Sequence, residues 1–322
     1  MTKPLIAHTI ASVVRGDADL QTVTVMARAN TPITRACTSI VLSLLMAACG
    51  GAPSTSGTGS TQSPPPVQWT QIWSDEFDGA AGSPVDASKW TNDIGDGCSQ
   101  SNCGWGNNEK EYYSADPGSI SLNGAGQLVI VGKQAPAGLT CYYGACRYTS
   151  AKITTRGKLV VSPAGRVEAR IKLSNGQGLW PAFWMLGSTC PQTPWPDCGE
   201  IDIMENKGSQ PKTTSSALHG PGYSGNTPFA HAQDFASGTI TDFHTYAVEW
   251  DLAHVRWLVD GVEHYQVVAG EVQSRGPSVL GKSFNLILNL AIGGHFDGDP
   301  QSDAIFPATM TVDYVRLFQP AN

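Results

Sequence analysis

The chain has 322 residues, a formal net charge of −7, only 15% charged residues, 35 glycines and 21 prolines. An acidic balance without a basic run gives no support to nucleic-acid binding. So many turn formers suit a chain of short strands better than long helices, and the length allows one large domain or two small ones.

In chain order, Arg28 and Arg35 precede a short apolar run, residues 40–48, and Cys49 follows ahead of Gly50-Gly51. That is the layout of a secretory signal, too short to span a bilayer. Cys49 after small residues also has the form of a bacterial lipoprotein box, although Met46 stands where Leu is commoner. The expectation is an exported protein, extracellular, periplasmic or held on the membrane through a lipidated Cys49; the alternative is a plain signal cut nearby. Residues 1–49 are read as extension and signal, 50–66 as a flexible Gly/Ser/Thr/Pro linker, and 67–320 as one folded domain.

Within that domain, residues 126–130 read as a strand, and 166–173 alternate with apolar side chains at odd positions. Residues 245–250 alternate again. Residues 255–259 and 262–265 flank Asp260-Gly261, a favoured hairpin turn pair. Residues 284–292 are nearly all apolar, which predicts a central strand, and 309–317 close the domain. Many short strands with no repeat, no internal linker and no long amphipathic helix predict a single all-β sandwich.

Six cysteines follow the signal: Cys98, Cys103, Cys141, Cys146, Cys190 and Cys198. They allow fifteen connectivities, and their close spacing favours three local pairs in an oxidising compartment. Each pair sits in a Gly/Pro/Asn-rich loop expected at the rim of a cleft. None has the spacing of a zinc site.

The densest chemistry lies in Glu200-Ile201-Asp202-Ile203-Met204-Glu205. Alternation puts Glu200 and Asp202 on one face of a strand and Ile201 and Ile203 beneath it. It would also bury Glu205. One bulge after Ile203 reverses that parity, buries Met204 and returns Glu205 to the row. A carboxylate row on an open sheet face suits glycosidic bond cleavage; scattered surface acids or a cation site are the alternatives. Trp180 and Trp184, with Trp105 and Trp195 in loops, favour a saccharide, because indole faces stack on sugar rings.

The hexad resembles the bulged, laminarinase-type signature of glycoside hydrolase family sixteen. Trp73-Ser74-Asp75-Glu76-Phe77, Gly104-Trp105-Gly106-Asn107-Asn108-Glu109, residues 178–187, Asn289-Leu290-Ala291-Ile292-Gly293-Gly294 and Asp313-Tyr314-Val315-Arg316 are similar to bacterial endo-1,3-β-glucanases in the same order. The resemblance spans about residues 68–318. It implies a β-jelly roll sandwich (concanavalin A-like) with a substrate cleft on its concave face, and a retaining endo-hydrolase of laminarin-like 1,3-β-glucans, monomeric and without a cofactor for catalysis. Mixed-linkage glucan or galactan hydrolysis and a β-glucan-binding module are the alternatives.

By the same resemblance, Glu200 is the nucleophile, Glu205 the acid/base and Asp202 the assisting carboxylate. Trp180 and Trp184 line the donor side, and alternation is expected to turn only one of them to the cleft, with Trp180 favoured. Asn108, Trp105, Lys152, Asn289 and Trp195 are substrate-side positions. His219 stands near the acid/base to bond the sugar or Glu205, and His244 is structural. Glu76, Gly126 through its carbonyl, and Asp313 match a structural calcium site, against surface acids without metal. Two departures bear on substrate preference: Gly294-His295-Phe296 where relatives read Gly-Asn-Trp, and Lys110-Glu111 in place of an apolar residue and Gln.

Overall fold

Two mainly antiparallel sheets face each other across one apolar layer in the computed structural model, which describes residues 67–321. The signal, Cys49 and linker expectations lie outside the described residues. One sheet has seven strands in the order Phe229–Asp234, Thr213–His219, Glu200–Glu205, Leu179–Gly187, Phe284–Ile292, Lys152–Thr154 and Thr91–Asp93. The other has ten and is built around Gly165–Leu173, Ala308–Pro320 and His244–Trp250. This is the predicted β-jelly roll sandwich.

The local rules held where the pattern was strong. All nine residues of Phe284–Ile292 are buried between two neighbouring strands, as a continuous apolar run requires. Gly165–Leu173 places Val167, Ala169 and Ile171 fully inside. The hairpin turns at Asp260 and Gly261, both with positive φ (51° and 79°), which twists the way its strands twist. Only one α-helix, Ala269–Arg275, occurs among the described residues.

The predicted bulge is present. Toward Leu179–Gly187 the register runs Ala182 to Glu205, Phe183 to Met204, then Trp184 to Asp202, which leaves Ile203 as the extra residue. On the other side it jumps between Asp202–Ala217 and Glu205–Ser215. Ile201, Ile203 and Met204 all enter the core, at 0, 2 and 0% exposure. Two consecutive apolar residues can both face inward only across such an insertion. Gly199, at φ 85° and with Val279 2.9 Å from where a Cβ would sit, leads the chain into this strand.

All three local disulfides form: Cys98–Cys103, Cys141–Cys146 and Cys190–Cys198. The first and third lie on the cleft rim, where Gln100, Ser101, Asn102, Cys190 and Pro191 line it. The second does not, contrary to expectation. Its loop packs Tyr142 behind Gly104 and so buttresses the rim from outside.

Candidate active site

A groove of about 1110 Å³ crosses the whole seven-stranded face, from Asp93 and Arg156 at one end to Ala230 and His231 on the opposite edge strand. Six inter-strand gaps of ~4.8 Å make that roughly 29 Å. Glu200, Asp202 and Glu205 all line it. The bulge alone puts the third acid there.

Each acid has its own partner. Exposed Trp195 donates its indole N–H to Glu200 Oε2 at 2.8 Å. Trp180 donates to Glu205 Oε1 at 2.8 Å. His219 Nε2 lies 3.0 Å from Asp202 Oδ2, off the bonding direction, so that oxygen and His219 Nδ1 lack a hydrogen-bond partner among the described residues. His219 thus sits opposite Glu200 in register and against Asp202, not against Glu205 as expected. Side-chain ligand atoms of Glu200, Asp202 and His219 fall within 4.8 Å of one another.

Crowding three acids out of water disfavours their charged forms. Burial, then the charge of Glu205, holds Asp202 well above the usual carboxylate range. Burial pushes Glu205 up to about 7, with the Trp180 N–H pulling down and the Glu200 charge pulling up. Burial and an ionised Asp202 push Glu200 up to about 8. The hydrogen bond that Glu200 and Asp202 share raises Glu200 further and eases Asp202 down. The trio therefore titrates as one set.

Trp180 and Trp184 both face the groove, each half-buried. The expectation that only one would do so is corrected by the pleat: residues four apart on a strand share a face. Trp180 stacks on Phe296 (4.9 Å between centroids). Trp184 donates to Asn289 Oδ1 at 2.7 Å, and Lys152 lies between Trp184 and Trp105, 5.1 and 4.3 Å from their ring centroids. Trp105 and Lys152 line the groove.

Asn289 and Asn108 do not line the groove. Buried Asn289 joins Trp184 to Tyr113, which donates to Glu109. Asn108 accepts from Lys110 Nζ and Tyr142 on the outer side, and its neighbour Asn107 takes the groove position. Strand alternation carries no information about that left-handed loop, in which Asn108 has φ 63°. His244 is structural, fixed by Asp260 and the Thr239 carbonyl.

At the expected calcium position, Arg316 holds both carboxylate oxygens of Glu76 at 3.0 and 2.8 Å, so that side chain does not fit as a ligand. The Glu76 carbonyl lies near Gly126, and Asp313 accepts a long bond of 3.3 Å from Gln127 at Oδ1 while Arg170 holds its Oδ2 at 2.8 Å, which leaves Oδ1 as its one oxygen for a cation. Oxygens of this kind suit a hard cation.

A two-sheet sandwich with an acid row under an indole-lined trench defines a polysaccharide-handling protein. The profile of Glycosyl hydrolases family 16 matches residues 100–316, and the chain belongs to that family. It is 36% identical over 272 residues to a beta-glucanase of Rhodothermus marinus, covering 81% of this chain and 89% of that one. The structure of an endo-β-1,3-glucanase from Pyrococcus furiosus is similar at 41% identity and TM-score 0.74, covering 80% of this chain and 96% of that one. The laminarinase catalytic domain of Thermotoga maritima is similar at 38% and 0.73, covering 79% and 99%. Of two other relatives, the chain spans only 35 and 37% of the length.

Proposed function

We propose that the chain is an endo-acting, retaining hydrolase of 1,3-β-glucans. The observation that carries this reading is the Ile203 bulge, which sets Glu205 on the same face as Glu200 and Asp202. An open groove across all seven strands admits a polymer in mid-chain, which supports endo action.

In the proposed reaction, Glu200 attacks the anomeric carbon as a carboxylate while protonated Glu205 gives its proton to the departing glycosidic oxygen. For that attack the proton shared by Glu200 and Asp202 lies on Asp202, which then donates to the Glu200 carboxylate, and Trp195 supplies a second donor to the Glu200 oxygens. Glu205, now ionised, then takes a proton from water, which opens the glycosyl ester with overall retention. Trp180 holds Glu205 by its N–H, and its ring rests against Phe296, one of the residues that depart from relatives.

Glu200→Ala and Glu205→Ala, made separately and supplied with azide and an activated aryl glucoside, test the roles. The first is expected to give α-glycosyl azide and the second β-glycosyl azide. Wild-type turnover in either variant removes the assignment. Product profiles on laminarin, lichenan and agarose test the linkage preference.

The chain is further proposed to act as an exported monomer, tethered through Cys49 if that residue is lipidated, which mass spectrometry of the mature N-terminus tests. A structural calcium held by the Glu76 and Gly126 carbonyls with Asp313 is proposed to fasten both ends of the domain. No step of the reaction involves it.

A further inference from the structure

A bulge interrupts the ladder of a strand, here toward both neighbours, and leaves main-chain groups to find other partners. Here two side chains do so. Ser216 Oγ donates to the Ile203 carbonyl at 3.0 Å from the adjoining strand. Trp257 comes from the opposite sheet, crosses the core, and donates its indole N–H to the Asp202 carbonyl at 2.8 Å. Both residues are buried, Trp257 completely. Trp257 is locked in turn by Tyr265, stacked at 5.1 Å and 19°. The hydrogen bond therefore spans the sandwich from a rigid donor to the peptide at which the register changes.

We propose that Trp257 is a positioning residue for the acid/base: its N–H pins the Asp202 carbonyl and so holds the bulge that turns Glu205 into the groove. This rests on the reading of Glu205 as the proton donor. Without that donor, the Asp202 carbonyl has reason to rotate back toward the ladder, and the parity of the following residues relaxes with it. Glu200, ahead of the bulge, keeps its register with His219 and Leu186 in either case.

The sandwich contains its own control. Trp250 is equally buried on the neighbouring strand, but its Nε1 has no partner among the described residues. Trp250→Phe removes a buried indole and no hydrogen bond; Trp257→Phe removes both.

The test compares kcat/KM on laminarin, whose leaving group needs a proton, with kcat/KM on a dinitrophenyl β-laminaribioside, whose leaving group does not. Trp257→Phe is expected to lose about 10- to 100-fold on laminarin and to stay within about twofold of wild type on the aryl glycoside, as a displaced acid requires. Trp250→Phe is expected to spare both substrates. If Trp257→Phe does not fold, benzothienylalanine at position 257 keeps the ring shape and lacks only the N–H, and the same split is expected. Equal losses on both substrates, or no loss on laminarin, overturn the proposal. Glu205→Gln runs alongside: if it fails to show the split, the acid/base assignment falls; if it shows the split and Trp257→Phe does not, only the positioning role falls.

Discussion

Glu205 should weaken the fold it serves, by an amount that depends on pH. Its carboxyl is pushed from the usual 4.5 up to about 7, chiefly by burial. Between those values the folded chain holds a proton that the unfolded chain has released. Stability must then fall as pH rises through that window and level off above it. Each pKa unit is worth about 1.4 kcal/mol, so the rise from 4.5 to about 7 corresponds to roughly 3.5 kcal/mol as an upper bound, since the groove mouth leaves Glu205 some solvent. Glu205→Gln keeps an oxygen for the Trp180 N–H but cannot ionise. It should melt with wild type near pH 4 and above it at pH 9, by at most roughly 7–14 °C at about 2–4 °C per kcal/mol for a domain of this size. Removing that charge also relieves Asp202, which acts in the same direction. Scanning calorimetry of both proteins from pH 4 to 9 gives the difference directly. A gap that is constant across pH, or that is largest in acid, refutes the idea that a desolvated carboxylate is the cause.

Activity measurements offer further checks. Glu205→Gln should lose about 10²- to 10⁴-fold in kcat on laminarin, the usual worth of a positioned acid. Trp195→Phe removes a donor that favours the Glu200 carboxylate, so the acid limb of its kcat/KM profile should move to higher pH; an unmoved limb would detach Trp195 from the nucleophile. Replacing Cys190 and Cys198 by Ser opens the short loop that carries Trp195 and should cost about 2–3 kcal/mol, read as a lower Tm together with lower activity. Met204→Ala should cost about 2–5 kcal/mol from the cavity it leaves under the acid row, measured by urea unfolding. Chelation with EDTA should lower Tm and leave kcat unchanged if calcium only fastens the ends of the domain.

How much of this was legible in advance differs from residue to residue. Arg166 to Leu173, the Asp260-Gly261 hairpin and the strand Phe284–Ile292 could be read directly, because burial on one face or two imposes a period that local sequence must carry. The bulge was legible too, since three acids and three apolar residues in one hexad cannot all be satisfied by plain alternation. Pairing of neighbouring cysteines followed from their short separation, which leaves little chain to close. What the sequence alone could not supply were partners distant along the chain. His219 meets Asp202 rather than Glu205 because strand register decides it, and Asn108 yields the groove to Asn107 because a left-handed loop obeys no period. Trp257 is the furthest case: its pattern declares only that it is buried. That its N–H reaches the Asp202 carbonyl, 55 residues away in sequence, depends on how closely the two sheets pack. Local chemistry determined which acids could form a row; the distance between layers decided what holds that row in place.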